Sequence, residues 1–576
     1  MNDRHDEAET MRRFNFFSRR SFLATGASAL ALTAARGYAQ ADSVSHGFVE
    51  VRTTAGRVRG AWANGLSTFK GIPYAGSVSG QNRFKTAAAL QPWRGVRDAL
   101  ELGPPSLQPG RGARGKEPAP AEDCLVLNIW TPAADNRRRP VMFYSHGGGF
   151  TTGSGGSAYQ DGGNLARTWD VVVVATNHRL GLFGYLYLGD LGGEEYATSG
   201  NQGVEDIRDG LRWVKDNIAA FGGNPDNVMI FGESGGGGKT SCLYAMPSAA
   251  PYFNKASIES GPGIRMYPRE SAAETTLMVL QELGIQKADW RKLLDVPAET
   301  LVETQAAMGK KMSGPLTQGG GVRGMTGNPT PGGFGPVVDG HILPNHPFDP
   351  VAPAVSKNKP LIVGYNHDEM NFFFAQAHAT DVYSMTNEQL MERLQKDLGA
   401  NATSIADAYR ASRPGATPTD LYVAIATARF AGVGETTIAE RKYAQGGASV
   451  YSYIFTHGSD RLIPGTQHTM GAAHAAEIAY KFNNVTRSSA PPSGGPPQAG
   501  GPAAPTASDA DIQAAHNMSE FWSTFARTGR PAATGQPVWP AFDIAKRATM
   551  LIDTECKVVN DPGSLERRAW AKVATA

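Results

Sequence analysis

Ser234 stands in Gly232-Glu233-Ser234-Gly235-Gly236, directly after the apolar run 228–231. A Gly-x-Ser-x-Gly turn after a short buried strand lifts its serine clear on a strained backbone, because the flanking glycines let strand and helix approach closely. Ser234 is therefore a candidate nucleophile. A serine hydroxyl is a poor nucleophile at neutral pH, so the chain must also supply a base, a carboxylate to orient it, and donors for a developing oxyanion. His146-Gly147-Gly148-Gly149-Phe150 follows the strand predicted at 141–144, where a glycine run exposes consecutive backbone N–H groups. Glu369 follows a strand predicted at 360–364, and His474 follows one at 450–455. The residues alone leave other choices open. His457 and His468 also come after the last of these strands, His367 adjoins Glu369, and Asp368 and Asp339 compete as the acid. A rival chemistry overlaps the serine: 233–240, ESGGGGKT, approaches the phosphate-binding pattern G-x-x-x-x-G-K-[ST]. Glu233 replaces its first glycine, and a carboxylate there would repel phosphate where the loop needs bare N–H groups.

The elements that must position these groups alternate. Short strands are predicted near 49–51 and 56–60, then apolar strands within 122–132 and at 141–144 and 171–175. The last of these is entirely apolar and rich in valine, as suits a central strand covered on both faces. Residues 201–218 read as a helix, with Ile207, Leu211, Val214 and Ile218 at helical spacing, and the serine strand follows at once. Strand, helix, strand and glycine turn form the pattern of a doubly wound α/β protein. Further strands are expected at 253–261, 360–364 and 450–455, with helices over 271–312, 386–445 and 511–528. Residues 103–121 and 314–335 read as loops near the site, and 488–508 as a low-complexity excursion of Pro, Gly, Ala and Ser.

Several of these stretches together resemble the type-B carboxylesterase family, the group that includes the cholinesterases. Residues 221–236, FGGNPDNVMIFGESGG, fit its serine signature at every position, and 122–132, EDCLVLNIWTP, resemble its second signature with Val126 where Tyr or Thr is usual. Residues 69–75, 334–340 and 522–529 resemble three more of its landmarks, so the likeness spans almost the whole chain after residue 70. The resemblance implies an α/β-hydrolase fold: a large, mostly parallel central sheet with helices on both faces and long insertions over the site. It also implies roles. Residues 364–369 match G-x-N-x-D-E and make Glu369 the acid; 471–478 match G-x-x-H-x-x-E-I and make His474 the base. Gly148, Gly149 and Gly235 become the oxyanion donors. Glu233 itself reads either as a charge near the pocket or as a satisfied buried carboxylate. The implied activity is hydrolysis of carboxylic esters through an acyl-enzyme on Ser234, with a small-molecule substrate, no cofactor and no metal. An amidase, carbamate or lactone hydrolase on the same triad, or a binding protein without activity, are the alternatives. The chain departs from the family at Gly235, where Ala is usual, and at Met370, where Gly is usual, and no cysteine precedes Cys124 to form the bridge common in secreted animal members. Residues 235–238 are four glycines where a helix must begin. That run suggests room beside the nucleophile for a bulky acyl group.

Composition narrows the partners. A net charge of +2 over 576 residues implies no nucleic acid, and 41% hydrophobic residues suffice for a large core. Cys124, Cys242 and Cys556 are too few and too scattered for a disulfide framework or a metal site, and read as buried apolar thiols. Residues 18–23, SRRSFL, followed by a moderately apolar run to residue 35, form a twin-arginine signal pattern. Small residues place cleavage after Ala39 or Ala41. The expectation is a signal at 1–41, a single domain at 42–576, no membrane span, and a periplasmic or secreted protein delivered by the twin-arginine export machinery.

Overall fold

The computed structural model describes residues 46–110, 117–312, 329–485, 487 and 506–573. The expected signal at 1–41, most of the low-complexity stretch and parts of the two long loops lie outside the described residues. Thirteen strands among the described residues form one sheet. In chain order they are β1 (His46–Arg52), β2 (Arg57–Ala63), β3 (Leu66–Pro73), β4 (Val96–Asp98), β5 (Val126–Thr131), β6 (Arg139–Ser145), β7 (Val172–Thr176), β8 (Gly223–Glu233), β9 (Lys255–Glu259), β10 (Leu361–Asn366), β11 (Val450–Phe455), β12 (Ala548–Ile552) and β13 (Lys557–Asn560). The spatial order is β1-β2-β3-β5-β7-β6-β8-β9-β10-β11-β12-β13, with β4 paired to β2. From β7 across to β12 every pairing is parallel, and antiparallel strands flank this centre on both sides.

Alternation along the central strands sends side chains to two cores. Val141 and Phe143 of β6 and Val228 and Ile230 of β8 join one; Met142, Tyr144, Met229 and Phe231 join the other. Helix α1 (Gln202–Asn217) covers the first face with Ile207, Leu211 and Val214, the spacing read from sequence. The helices that matter next are α2 (Gly235–Ala245), α3 (Met370–Gln376), α4 (Pro418–Thr427), α5 (Val433–Ala444), α6 (Glu477–Lys481) and α7 (Asp509–Thr528). α7 covers the second face with Phe521, Trp522 and Phe525. Burying one such side chain contributes about 1.5–3 kcal/mol, so the aromatic face of α7 makes it a structural element and not an appendage. All three cysteines are free and buried. No helix among the described residues is long and apolar enough to cross a membrane.

Ser508 caps α7: its hydroxyl accepts from Asp511 N and its own N–H donates to Asp511 Oδ2. Asp511 has a second task. Its Oδ1 lies 3.0 Å from His457 Nε2 and accepts from the Tyr480 hydroxyl, while His457 Nδ1 lies 2.8 Å from Asp553. Burial pulls the His457 pKa down, but hydrogen bonds to Asp553 and Asp511 outweigh it and leave the pKa above the ordinary histidine value. The folded pKa exceeds the unfolded one, so the clamp contributes fully below about pH 6.5 and fades as pH rises through the folded pKa. His457→Gln is expected to lower the thermal midpoint at pH 5.5 and to have a smaller effect at pH 9.5. Thermal unfolding of both proteins at the two pH values measures the difference.

Candidate functional site

The β8 strand ends at Glu233 and α2 begins at Gly235, so Ser234 alone makes the turn, at φ 57° and ψ −123°. That backbone is held from both sides. Ser234 N donates to Glu259 O at the end of β9, and Ser234 O accepts from Gly238 N in the first turn of α2. Beside it, β6 ends at Ser145 and passes into the glycine loop. Gly148 and Gly149 adopt φ 85° and 61°, and Thr152 closes the loop by donating from N and Oγ1 to Gly148 O at 3.0 Å each. Neighbouring parallel strands thus deliver both segments to the same end of the sheet, a consequence of the β6–β8 register that opposes Ser145 to Gly232.

Glu369 and His474 arrive from farther along. Glu369 follows β10, is fully buried, and accepts Asn366 N on Oε1 at 2.8 Å. Its Oε2 accepts from His474 Nδ1 at 2.6 Å. His474 precedes α6 and sits beside Ala475, which has φ 63°. A cavity of about 460 Å3 is lined by Gly147, Gly148, Gly149, Glu233, Ser234 and His474, with Phe372, Phe373 and Phe430 forming its apolar wall. The Phe373 and Phe430 ring centroids lie 4.9 and 5.1 Å from that of His474. Phe430 reaches in from a π-helical turn, Ala428–Gly432, between α4 and α5. Such turns displace side chains from the regular helical stripe and recur at functional sites. Among the described residues, no hydrogen bond joins the Ser234 hydroxyl to His474 in this resting geometry. Such bonds are often long before substrate binds.

Burial governs the electrostatics. Glu233 Oε1 approaches His474 Nε2 at 3.3 Å and has no hydrogen-bond partner among the described residues. Burial drives the Glu233 carboxyl well above its ordinary range, against the pull of His474. Burial likewise pulls His474 down, but the carboxylates of Glu233 and Glu369 pull harder and raise it to about 9. Behind this pair lies a second buried layer. Glu477 accepts from Asn366 Nδ2 at 2.6 Å, and Lys481 pairs with Glu259, which also accepts from Trp522 Nε1 at 2.6 Å. Sequence reasoning left Glu233 as a charge near the pocket or a satisfied buried carboxylate; the fold puts it on the cavity beside His474 Nε2. It overlooked the aromatic wall as well, although Phe372-Phe373-Phe374, beginning three residues after Glu369, was a legible signal.

The competing residues fall elsewhere. His457 is held between Asp511 and Asp553, and His468 packs on Tyr383 with centroids 5.4 Å apart. His367 bonds Asp368, which also accepts Ala472 N. Asp339 accepts Asn201 Nδ2 and the N–H groups of His341, Ile342 and Leu343. The phosphate-loop reading fails because 235–240 is helix and Lys239 is fully buried, with its amine on His146 O. The expected room beside the serine is also absent. A Cβ on Gly235 would lie 2.0 Å from Gly149 O, and one on Gly237 would lie 2.9 Å from Gly261 O. These glycines admit neighbouring backbone, not a bulky acyl group.

A hydroxyl on a strained turn, an imidazole fixed by a carboxylate, and glycine N–H groups on one cavity suit nucleophilic attack on a carbonyl. The comparisons agree with that chemistry. Residues 48–570 match the model of the Carboxylesterase family. The chain is 34% identical to the para-nitrobenzyl esterase of Bacillus subtilis, over 90% of this chain and 97% of that protein. It is 31% identical to the phenmedipham hydrolase of Pseudarthrobacter oxydans, over 87% and 94%. Among solved structures, a Geobacillus stearothermophilus carboxylesterase superposes with a TM-score of 0.76 at 34% identity, over 90% of this chain and 99% of that one. Match and geometry extend over the same α/β-hydrolase sheet, and the chain belongs to the carboxylesterase family of ester-hydrolysing enzymes.

Proposed function

We propose that the protein is an exported serine carboxylesterase in which Ser234 is the nucleophile, His474 the general base and acid, and Glu369 the carboxylate that orients His474. The observation that carries this reading is the 2.6 Å hydrogen bond from His474 Nδ1 to Glu369, on a cavity that Ser234 also lines. The bond leaves Nε2 free to take a proton. Ser234 Oγ attacks the ester carbonyl carbon and gives its proton to His474 Nε2. The N–H groups of Gly148, Gly149 and Gly235 stabilise the oxyanion. Collapse releases the alcohol, which takes the proton from His474, and leaves the acyl group on Ser234. Water, deprotonated by His474, then releases the acid and restores the serine. The wall of Phe372, Phe373 and Phe430 suits an apolar or aromatic part of the ester. Export rests on the twin-arginine pattern at 18–23. N-terminal sequencing of protein recovered from outside the cytoplasm tests it, with a start at residue 40 or 42 expected and retention of Met1 counting against it.

Ser234→Ala is expected to remove hydrolysis of a short p-nitrophenyl ester and labelling by an organophosphonate; turnover at the parent rate would end the assignment. A p-nitrobenzyl ester and phenmedipham, which name two of the relatives, belong in the first substrate panel.

The pH profile follows from the site. His474 must be neutral to accept the serine proton, and its pKa is raised to about 9 by Glu233 and Glu369. The acid limb of kcat/KM should therefore lie above the ordinary histidine value of about 6.5. Glu233→Gln removes one carboxylate and should move that limb down by about one pH unit or more. A limb that stays in place shows that Glu233 does not act on His474.

The alanine usual in the family should be harmful here. A Cβ at position 235 would meet the Gly149 carbonyl, so Gly235→Ala must push the glycine loop outward. Loss of one oxyanion donor typically costs about 100-fold or more in rate. The expectation is a fall in kcat of at least about ten-fold, since displacement is partial. Steady-state kinetics on the folded variant decide it.

A further inference from the structure

Lys239 lies in α2, five residues after Ser234, and is fully buried. It does not line the cavity. An ammonium in such a place is costly unless paired, yet among the described residues it has no carboxylate within ion-pair distance. Its Nζ donates instead to the carbonyl of His146 at 2.9 Å. Burial lowers its pKa to about 7; the neutral amine and the ammonium both carry N–H donors, so the contact survives in either state. His146 opens the glycine loop, and its carbonyl belongs to the peptide that leads into Gly147 and Gly148.

The surroundings explain why that tether matters. The His146 ring stacks on His178 with centroids 4.5 Å apart and an 18° interplanar angle. His178 is fully buried, and neither of its ring nitrogens has a hydrogen-bond partner among the described residues. Burial, with the nearby charges of Lys239 and His146, keeps it well below the ordinary histidine pKa, so it is a neutral plate under the loop and not a polar anchor. Nor is there slack between loop and helix. Gly149 and Gly235 approach so closely that a Cβ on Gly235 would overlap the Gly149 backbone.

The proposed oxyanion donors come from two chain segments: Gly148 and Gly149 from the loop after β6, and Gly235 from the start of α2. We infer that Lys239 is a positioning residue that sets the distance between these two halves, by tying α2 to the His146 carbonyl. The inference rests on the reading of Gly148, Gly149 and Gly235 as the oxyanion donors. A donor misplaced by a fraction of an ångström in the transition state loses rate but little ground-state affinity.

The test compares Lys239→Met, Lys239→Gln and Ser234→Ala with the parent enzyme. Lys239→Met keeps the volume and removes the donor, and loss of a buried, unpaired amine should leave the thermal midpoint equal or higher. The expected result is a fall in kcat of about ten-fold or more with KM within about two-fold. Affinity for a trifluoromethyl ketone, which forms a tetrahedral oxyanion on the serine, should weaken by a similar factor. The acid limb of the pH profile should not move, because Lys239 exchanges no proton in the reaction. Lys239→Gln, with a donor of shorter reach, should fall between. A kcat within two-fold of the parent in folded Lys239→Met overturns the inference, as does a rate loss matched by a loss of thermal stability. Should Lys239→Met not fold, Lys239→Gln decides: reduced kcat with KM and thermal midpoint held supports the tether, and unchanged kcat overturns it. Turnover persisting in Ser234→Ala would remove the oxyanion reading itself; its loss there, with Lys239→Met unimpaired, removes only the role of Lys239.

Discussion

Everything at the site depends on a close backbone approach around one strained residue. Ser234 occupies a conformation that costs a non-glycine residue about 1–3 kcal/mol, and such strain persists only where the surroundings over-determine it. They do so here by direct backbone contact. A Cβ on Gly236 would lie 2.1 Å from Ser145 O, and one on Gly261 would lie 1.8 Å from Ser234 O. Strands β6, β8 and β9 thus press their ends around the turn with no side chain between them. The parallel centre of the sheet is what allows this. Its pairings bring the carboxyl ends of neighbouring strands to one edge, where an open α/β sheet binds its ligands.

The same edge gathers charge. Glu233, Glu259, Glu369, Glu435 and Glu477 are all buried around the site, with Lys481 and His474 as the cations among them. Burying so many carboxyls would be untenable if each were ionised and unpaired. Two outcomes are visible. Glu259 and Glu477 are engaged by Lys481, Trp522 and Asn366, and Glu233 faces His474, while Glu435 is driven toward its neutral form by burial. The field that remains falls on His474, a buried imidazole between two carboxyls, and raises its proton affinity. An imidazole tuned in this way would be a strong base when neutral, and both Glu233 and Glu369 contribute to its proton affinity.

The aromatic wall adds a third constraint. Phe372 and Phe373 follow Glu369 in the first turn of α3, while Phe430 arrives from the π-helical turn, and all three pack on the His474 ring. They keep water from one side of the imidazole and give the cavity its apolar character. Glu369, His474 and the aromatic wall are therefore packed as one unit, and a change at any of the three aromatic positions reaches the imidazole directly.

The amino-acid sequence by itself determined the elements and their order. A continuous apolar run marked 171–175 as a doubly covered strand, and helical spacing marked 201–218 as a helix, because both signals are local. The serine turn was legible for the same reason, since a strand–turn–helix of this sharpness needs glycine at fixed places. Distances between remote segments were not. Order along the chain left His457, His468 and His474 equal on chemistry alone, and only the fold shows that two aspartates hold the first and an aromatic ring the second. Four successive glycines looked like open space and proved to be contact surfaces, because a missing Cβ admits a ligand or another backbone equally well. Lys239, which in sequence completes a phosphate motif, turns inward to a carbonyl 93 residues earlier. Which of these happens depends on what the sheet brings alongside, and that is a property of tertiary packing and not of any local run of residues.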